Sequence, residues 1–309
     1  MKTRSLLWIF GSLAALLVAY GIVRVVGSGS GGKKTGHLTM AEWVDEATAL
    51  IRVSGPGPED SLRLERTGDG WRVNGYPADT AALQRMLTAL GGVRQGELVA
   101  RSPANHGRLG VAGPGSRVVE IGPPANPGVR FFLGGSGPGG RYVRLDGEDE
   151  VYLVEAAALD PLTRSLDTWR ERSIAALDTA TVRRVEIARG RARFFLSRED
   201  GGWQVGDAPA DTARVRRMLE ALADLRATGF PADSEVWAAD FEAPDARIDV
   251  YADGGGQQAT PPLLSLLFSA ENEGGDYLVR RADRPFVVRL AGWSADRILG
   301  TRQDFTASE

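Results

Sequence analysis

The chain has 309 residues and no cysteine, with 37 Lys and Arg against 40 Asp and Glu for a formal net charge of -3. That length admits two domains, each able to bury its own core, and the missing thiol excludes disulfides, thiolate nucleophiles, cysteine-ligated metals and an acylated lipoprotein cysteine. The near balance of charge leaves no basic field to hold nucleic acid.

Residues 6–23 carry no charge and include Trp8, Ile9, Phe10, Leu13, Leu16, Leu17, Val18, Ile22 and Val23. At about 1.5 Å per residue this stretch, extended by Val25 and Val26, covers roughly the 30 Å of a bilayer's hydrocarbon core, with Arg24 able to snorkel at its far side. A cleaved signal peptide would have a shorter apolar run, ~7–15 residues, and small residues where Arg24 stands. Residues 1–26 therefore read as an uncleaved membrane anchor, with the lipid bilayer as its partner over residues 6–26. Lys2 and Arg4 precede the anchor while Arg24, Lys33 and Lys34 come after it, so flanking charge does not decide orientation. A large C-terminal part translocates largely regardless of such charges, which predicts a single pass in a bacterial inner membrane with the bulk in the periplasm. Residues 27–36, alternating Gly and Ser before Lys33-Lys34-Thr35-Gly36, form a flexible linker.

Beyond the linker the sequence repeats. Trp71-Arg72-Val73 and Pro77-Ala78-Asp79-Thr80-Ala81 return as Trp203-Gln204-Val205 and Pro209-Ala210-Asp211-Thr212-Ala213, both at an offset of 132 (203 − 71 and 209 − 77). Arg85-Met86-Leu87, Ala89-Leu90 and Arg94 match Arg217-Met218-Leu219, Ala221-Leu222 and Arg226 at the same offset. A period this long means a duplicated domain rather than a solenoid of ~20–50-residue units. The expected division is an anchor at 1–26, a linker at 27–36 and α+β repeats at 37–172 and 173–309.

In the first repeat Leu62, Leu64 and Arg66 alternate with Arg63 and Glu65, and Gly68-Asp69-Gly70 turns the chain into Trp71-Arg72-Val73, which predicts a hairpin. Phe194, Leu196 and Arg198, then Asp200-Gly201-Gly202, then Trp203 and Val205 predict its counterpart. Asp79 and Asp211 stand where a carboxylate would cap a helix start. The stripes Leu83, Met86, Leu87, Leu90 and Val215, Met218, Leu219, Leu222 each give one apolar face to lay on a sheet, and Gly91-Gly92 ends the first helix. Trp71 and Trp203, after their turns, read as core residues rather than a ligand platform. Strands are expected at 118–121, 129–133, 141–145 and 151–154, answered by 247–251, 263–268, 277–280 and 286–290, with short helical stretches at 161–169 and 294–299. The fold class is α+β, each module a mostly antiparallel sheet packed with one main amphipathic helix.

Gly135, Gly137 and Gly140 spell a nucleotide-binding pattern, but a strand rather than a helix comes after them, so they read as a hairpin loop. His37 and His106 lie apart, with no spaced carboxylates to complete a metal site, and read as surface residues. Asp146, Glu148, Asp149 and Glu150 lack the spacing and glycine of a calcium loop and read as a solvated turn. No Gly-x-Ser-x-Gly elbow exists, and Trp169, Trp237 and Trp293 fall outside the repeat. No catalytic, cofactor-binding or metal residue is assigned, and the chain reads as a non-enzyme.

Gly70-Trp71 and Gly202-Trp203, the Pro-Ala-Asp helices, the pair Arg141-Tyr142-Val143-Arg144-Leu145-Asp146-Gly147 with Val151-Tyr152-Leu153-Val154, and Trp169-Arg170-Glu171-Arg172 together resemble the DUF 4340 family over most of residues 41–305. The sequence departs from that pattern at the turn after the long helix, 106–110 and 241–245, and at the closing arginine motif of the second copy, Arg302-Gln303-Asp304-Phe305. The resemblance implies a membrane-anchored, repeated extracytoplasmic protein of unknown function that accompanies ABC-2 type exporters of the gliding-motility kind, with an integral-membrane ABC permease as partner. It carries no catalytic residues. The expected function is a periplasm-facing auxiliary subunit. One rival is an envelope glycan- or solute-binding module using the cleft between the repeats, and another is an enzyme assembled from scattered carboxylates.

Overall fold

A computed structural model describes Leu38, Met40 and residues 43–45, 47–57, 61–93, 96–123, 128–252 and 261–307. The apolar stretch 6–23, the linker and His37 lie outside the described residues. Among the described residues no helix is long and apolar enough to cross a membrane. The fold is mixed α+β with antiparallel sheets and few helices.

In chain order come β1 (Leu50–Ser54), β2 (Leu62–Thr67), β3 (Gly70–Val73), β4 (Tyr76–Pro77), α1 (Thr80–Gly92), β5 (Glu97–Ala100), α2 (His106–Leu109), β6 (Arg117–Gly122), β7 (Val129–Gly137), β8 (Gly140–Leu145), β9 (Val151–Glu155) and α3 (Ala156–Leu159). Next are β10 (Ser173–Ala175), β11 (Arg184–Arg189), β12 (Ala192–Glu199), β13 (Gly202–Val205), β14 (Ala208–Pro209), α4 (Thr212–Ala223), β15 (Leu225–Arg226), α5 (Asp233–Ala238), β16 (Ala246–Tyr251), β17 (Leu264–Phe268), β18 (Tyr277–Arg281), β19 (Val287–Leu290) and α6 (Gly292–Ile298).

The chain divides into two compact units. The first draws on residues up to 63 and on 84–164, the second on 64–83 and 165–309. In the first, the strands run in the order β1-β6-β7-β8-β9-β5, all antiparallel. The period-two alternation places Val119 and Ile121 of β6, Phe131 and Leu133 of β7 and Val143 of β8 in the interior. Gly134 is required where β7 passes α2, since a Cβ there would run into the Leu109 carbonyl oxygen.

The second unit holds the meander β2-β3-β4, the short pair β10-β15 and an eight-stranded sheet, β14-β13-β12-β11-β16-β17-β18-β19. The runs β4-β3-β2 and β1-β6-β7-β8-β9 have the same order as β14-β13-β12 and β11-β16-β17-β18-β19. Register places Val185 opposite Val250 and Ile187 opposite Ile248, and this apolar face receives Val215, Met218, Leu219 and Leu222 of α4. The four-residue stripe read from the sequence is thus buried whole.

Both Pro-Ala-Asp segments solve one problem, the backbone groups left unpaired where a strand gives way to a helix. In the first, the amide of Ala78 donates to Trp71 O at 2.9 Å, that of Asp79 to Trp169 O at 2.7 Å, and that of Glu171 to Pro77 O at 2.8 Å. In the second, Ala210 donates to Trp203 O at 2.9 Å, Asp211 to Phe305 O at 2.8 Å, and Ala307 to Pro209 O at 3.0 Å. The aspartates cap as expected: Asp79 Oδ1 accepts from the Ala82 amide at 2.9 Å, and Asp211 Oδ1 from Ala213 and Arg214 at 2.9 and 3.0 Å.

Several expectations need correction. Trp71 and Trp203 are half-buried, because they sit on short strands at the sheet margin, and Trp203 packs against the core from its edge. The short helical stretches expected at 161–169 are two 3-10 turns, Asp160–Thr163 and Leu166–Thr168. Trp169, given no role from the sequence, is 1% exposed and occupies the position that Phe305, 0% exposed, occupies in the second half. Strands β1, β5 and β11 and the short strands β4, β10, β14 and β15 are additions to those expected from the sequence.

Asp211→Ala should lower the unfolding free energy by about 1 kcal/mol, and Asp211→Asn should retain most of the stability. Urea denaturation measures this, and an alanine variant as stable as the parent would show that the cap contributes nothing.

Candidate binding surfaces

The turn between β3 and β4 runs through Asn74 (φ 45°) and Gly75 (φ 87°), a left-handed pair that sets Tyr76 directly after the hairpin. In the second unit the Tyr76 ring lies 5.3 Å from that of Phe286 and 6.1 Å, edge-on, from that of Phe230. Because Ala78 bridges to Arg170, the docking that buries Trp169 also delivers the next residue to this cluster. The Arg170 guanidinium lies 4.2 Å from the Tyr76 ring centre and 4.9 Å from that of Phe230. Arg172 stands over Phe230 at 5.5 Å and Arg72 over Phe286 at 5.3 Å. Each such contact contributes on the order of 0.5–2 kcal/mol. Arg170 also donates to Asp167 at 3.1 Å, and Arg172 to the Thr228 carbonyl at 3.1 Å.

The groove these rings form has room of about 40 Å³, which admits about one water molecule. At its rim Arg281 makes a two-point contact with Asp283, at 2.8 and 2.7 Å, and those hydrogen bonds hold the Asp283 carboxyl below its ordinary range. Residues from the first and second halves of the sequence meet here, and they fill the space themselves. The groove is a packed joint.

Two larger openings lie elsewhere in the second unit. One, of about 580 Å³, is lined by Arg189, Arg214, Arg217 and Arg297 with Asp296 and Asp304. The other, of about 500 Å³, is lined by Glu235, Asp240, Asp245, Asn272 and Asp276. Both volumes fall in the range of small-molecule sites, roughly 300–1,000 Å³. In the acidic opening a hydrogen bond from Arg289 lowers the pKa of Glu235, and the amides of Ala243 and Glu242 lower that of Asp240. Beside Glu235, on the same short helix, Trp237 is 88% exposed, and Trp293 on α6 is 66% exposed.

Gly135, Gly137 and Gly140 lie in the β7–β8 hairpin, which turns at Pro138-Gly139 with Gly139 at φ 74°, and no helix opens after them. Asp146, Glu148, Asp149 and Glu150 lie between β8 and β9, where Arg130 donates to Asp146 at 3.1 Å. His106 is not a surface residue. It is 7% exposed, with Nε2 2.8 Å from the Asp149 carbonyl oxygen, because α2 and its left-handed cap Gly110 pack down against the β7 backbone. Among the described residues no group of three or more His, Cys, Asp or Glu is placed to hold a metal ion. The aromatic and arginine joint escapes sequence reasoning because its residues share no motif. The one available signal is the pair Trp169 and Phe305, whose offset of 136 (305 − 169) differs from the 132 of the other matched residues.

Compared with known families, the chain matches the one described as Domain of unknown function (DUF4340) over residues 71–235 and again over 205–308. No curated protein and no solved structure matches it.

Tyr76→Ala should cost about 2 kcal/mol of stability by emptying the joint, whereas Tyr76→Phe should be nearly neutral because the ring makes the contacts. Equal losses in thermal or urea denaturation would mean that the hydroxyl, not the ring, holds the joint.

Proposed function

The chain belongs to the DUF4340 family, and we propose that it is a membrane-tethered, periplasm-facing accessory protein that docks on an integral-membrane ABC-type export complex. The role is one of binding rather than catalysis. The observation that carries it is the exposure of Trp237 and Trp293, since exposed tryptophans of this kind are the side chains most enriched at the energetic centres of protein interfaces. The uncharged stretch 6–23 supplies the tether and the Gly/Ser linker the reach. The shared strand order of the two halves, their matching Pro-Ala-Asp joints and the 132-residue offset support a duplicated module as its binding part.

The rival, a glycan- or solute-binding cleft between the copies, is less well supported, because the groove where residues of both copies meet has room for about one water molecule.

Mild-detergent isolation of the full-length protein from its native membrane, with partners identified by mass spectrometry, tests the proposal. An ABC permease and its ATPase should copurify, and a Trp237→Ala/Trp293→Ala double variant should recover at least about tenfold less of them with unchanged thermal unfolding. Recovery of the bait alone across several detergents would overturn the reading.

A further inference from the structure

The basic opening combines two helices and a strand end. Arg214 and Arg217 project from α4, Arg297 from the last turn of α6, and Arg189 ends β11. A helix C-terminus normally repels anions, through carbonyls left without partners. Here Arg214 removes that obstacle. Its guanidinium donates to the carbonyls of Arg297 at 2.7 Å and of Asp296 and Leu299 at 2.8 Å, while resting 4.6 Å from the Phe305 ring centre.

The remaining cations are less committed. Among the described residues Arg189 reaches only a neutral oxygen, the Tyr277 hydroxyl at 3.0 Å. Among the described residues neither Arg217 nor Arg297 has an ion-pair or hydrogen-bond partner for its guanidinium, whereas the neighbouring Arg216 pairs with Glu220 at 3.8 Å. Of the two carboxylates in the lining, Asp304 is engaged by the amide and hydroxyl of Thr301, at 2.7 and 2.9 Å. Burial lowers the pKa of Arg214, and repulsion from Arg217 lowers it further. An anion between the two would relieve that repulsion.

We propose that this opening is a phosphate-binding site, in which Arg189, Arg217 and Arg297 hold a phosphoryl group above the helix end that Arg214 has capped. Guanidinium forks match the oxygens of phosphate, and a doubly charged group gains about twice the attraction of a monoanion in a lining that already contains two carboxylates. The inference is independent of the docking role, since it uses neither exposed tryptophan. The phosphate could belong to a soluble ester or to a phospholipid headgroup, and the test separates them.

Full-length protein in neutral detergent at low ionic strength is titrated with inorganic phosphate and pyrophosphate by calorimetry. The same protein in nanodiscs of phosphatidylcholine, with and without phosphatidylglycerol, is monitored by hydrogen exchange over residues 214–217 and 297–301. Saturable phosphate binding, weakened at least about tenfold by Arg217→Glu and Arg297→Glu but not by Arg216→Glu, supports a soluble phosphate ligand. Protection that appears only with phosphatidylglycerol and is lost in the same two variants supports a lipid headgroup. Arg217→Gln and Arg297→Gln, with thermal unfolding recorded alongside, separate lost binding from lost fold. No response to phosphate or to phosphatidylglycerol, or an equal loss in Arg216→Glu, overturns the proposal.

Discussion

The second unit depends on one backbone hydrogen bond, made twice. Where a two-residue strand passes into a helix, the amide of the capping aspartate has neither a strand nor a helical partner, and leaving it unmet in the interior would cost on the order of 1–3 kcal/mol. A distant segment meets it: Trp169 O for Asp79 and Phe305 O for Asp211. The donor is short-range in sequence and the acceptor long-range, so each contact fixes the helix start and the closing segment at once. The aromatic side chain beside each carbonyl is fully buried, which excludes water from the joint and makes the hydrogen bond hard to exchange.

The surfaces with functional interest are consequences of those two joints. In the first, burial of Trp169 carries Arg170 onto Tyr76 and Phe230, and the stack closes the groove against solutes. In the second, Phe305 lies beneath Arg214, and Arg214 ties α4 to the end of α6, leaving an opening rather than a closed stack. One local solution thus gives a filled joint in one place and a basic opening in the other. The difference lies in the residues just beyond each aromatic: Arg170 and Arg172 after Trp169, but Thr306 and Ala307 after Phe305.

The repeated elements are legible in the sequence because their determinants are local. Turn glycines, capping aspartates and apolar stripes predict both hairpins and both main helices, and eight further strands fall within a few residues of their expected ends. The features that escape are long-range. Strand β11 alternates as cleanly as its neighbours, but its place between β12 and β16 depends on pairing that no local pattern states. His106 gives no sign of burial, since its neighbours Gly107 and Arg108 are exposed and its acceptor is a carbonyl 43 residues away. Trp169 is hidden because its offset from Phe305, 136, departs from the 132 that the other matched residues keep. The openings escape for the same reason: Arg189, Arg217 and Arg297 have no shared spacing, and only the packing of α4 beside α6 brings them together.

Every Lys or Arg after Lys34 is an arginine, and the ways these guanidiniums are used separate structure from function. Arg72, Arg144, Arg170, Arg184 and Arg280 lie over aromatic rings, a geometry in which a planar cation holds its charge while covering apolar surface. Arg52, Arg141, Arg247 and Arg289 are paired with carboxylates. A lysine could replace few of them, because its ammonium cannot lie flat on a ring or fork onto two oxygens. Arg217 and Arg297 are used in neither way, and what distinguishes them is place: with Arg189 and Arg214 they line one opening. Guanidiniums that converge on a shared opening of about 580 Å³ offer their donors to one group at once, which arginines scattered over the surface do not.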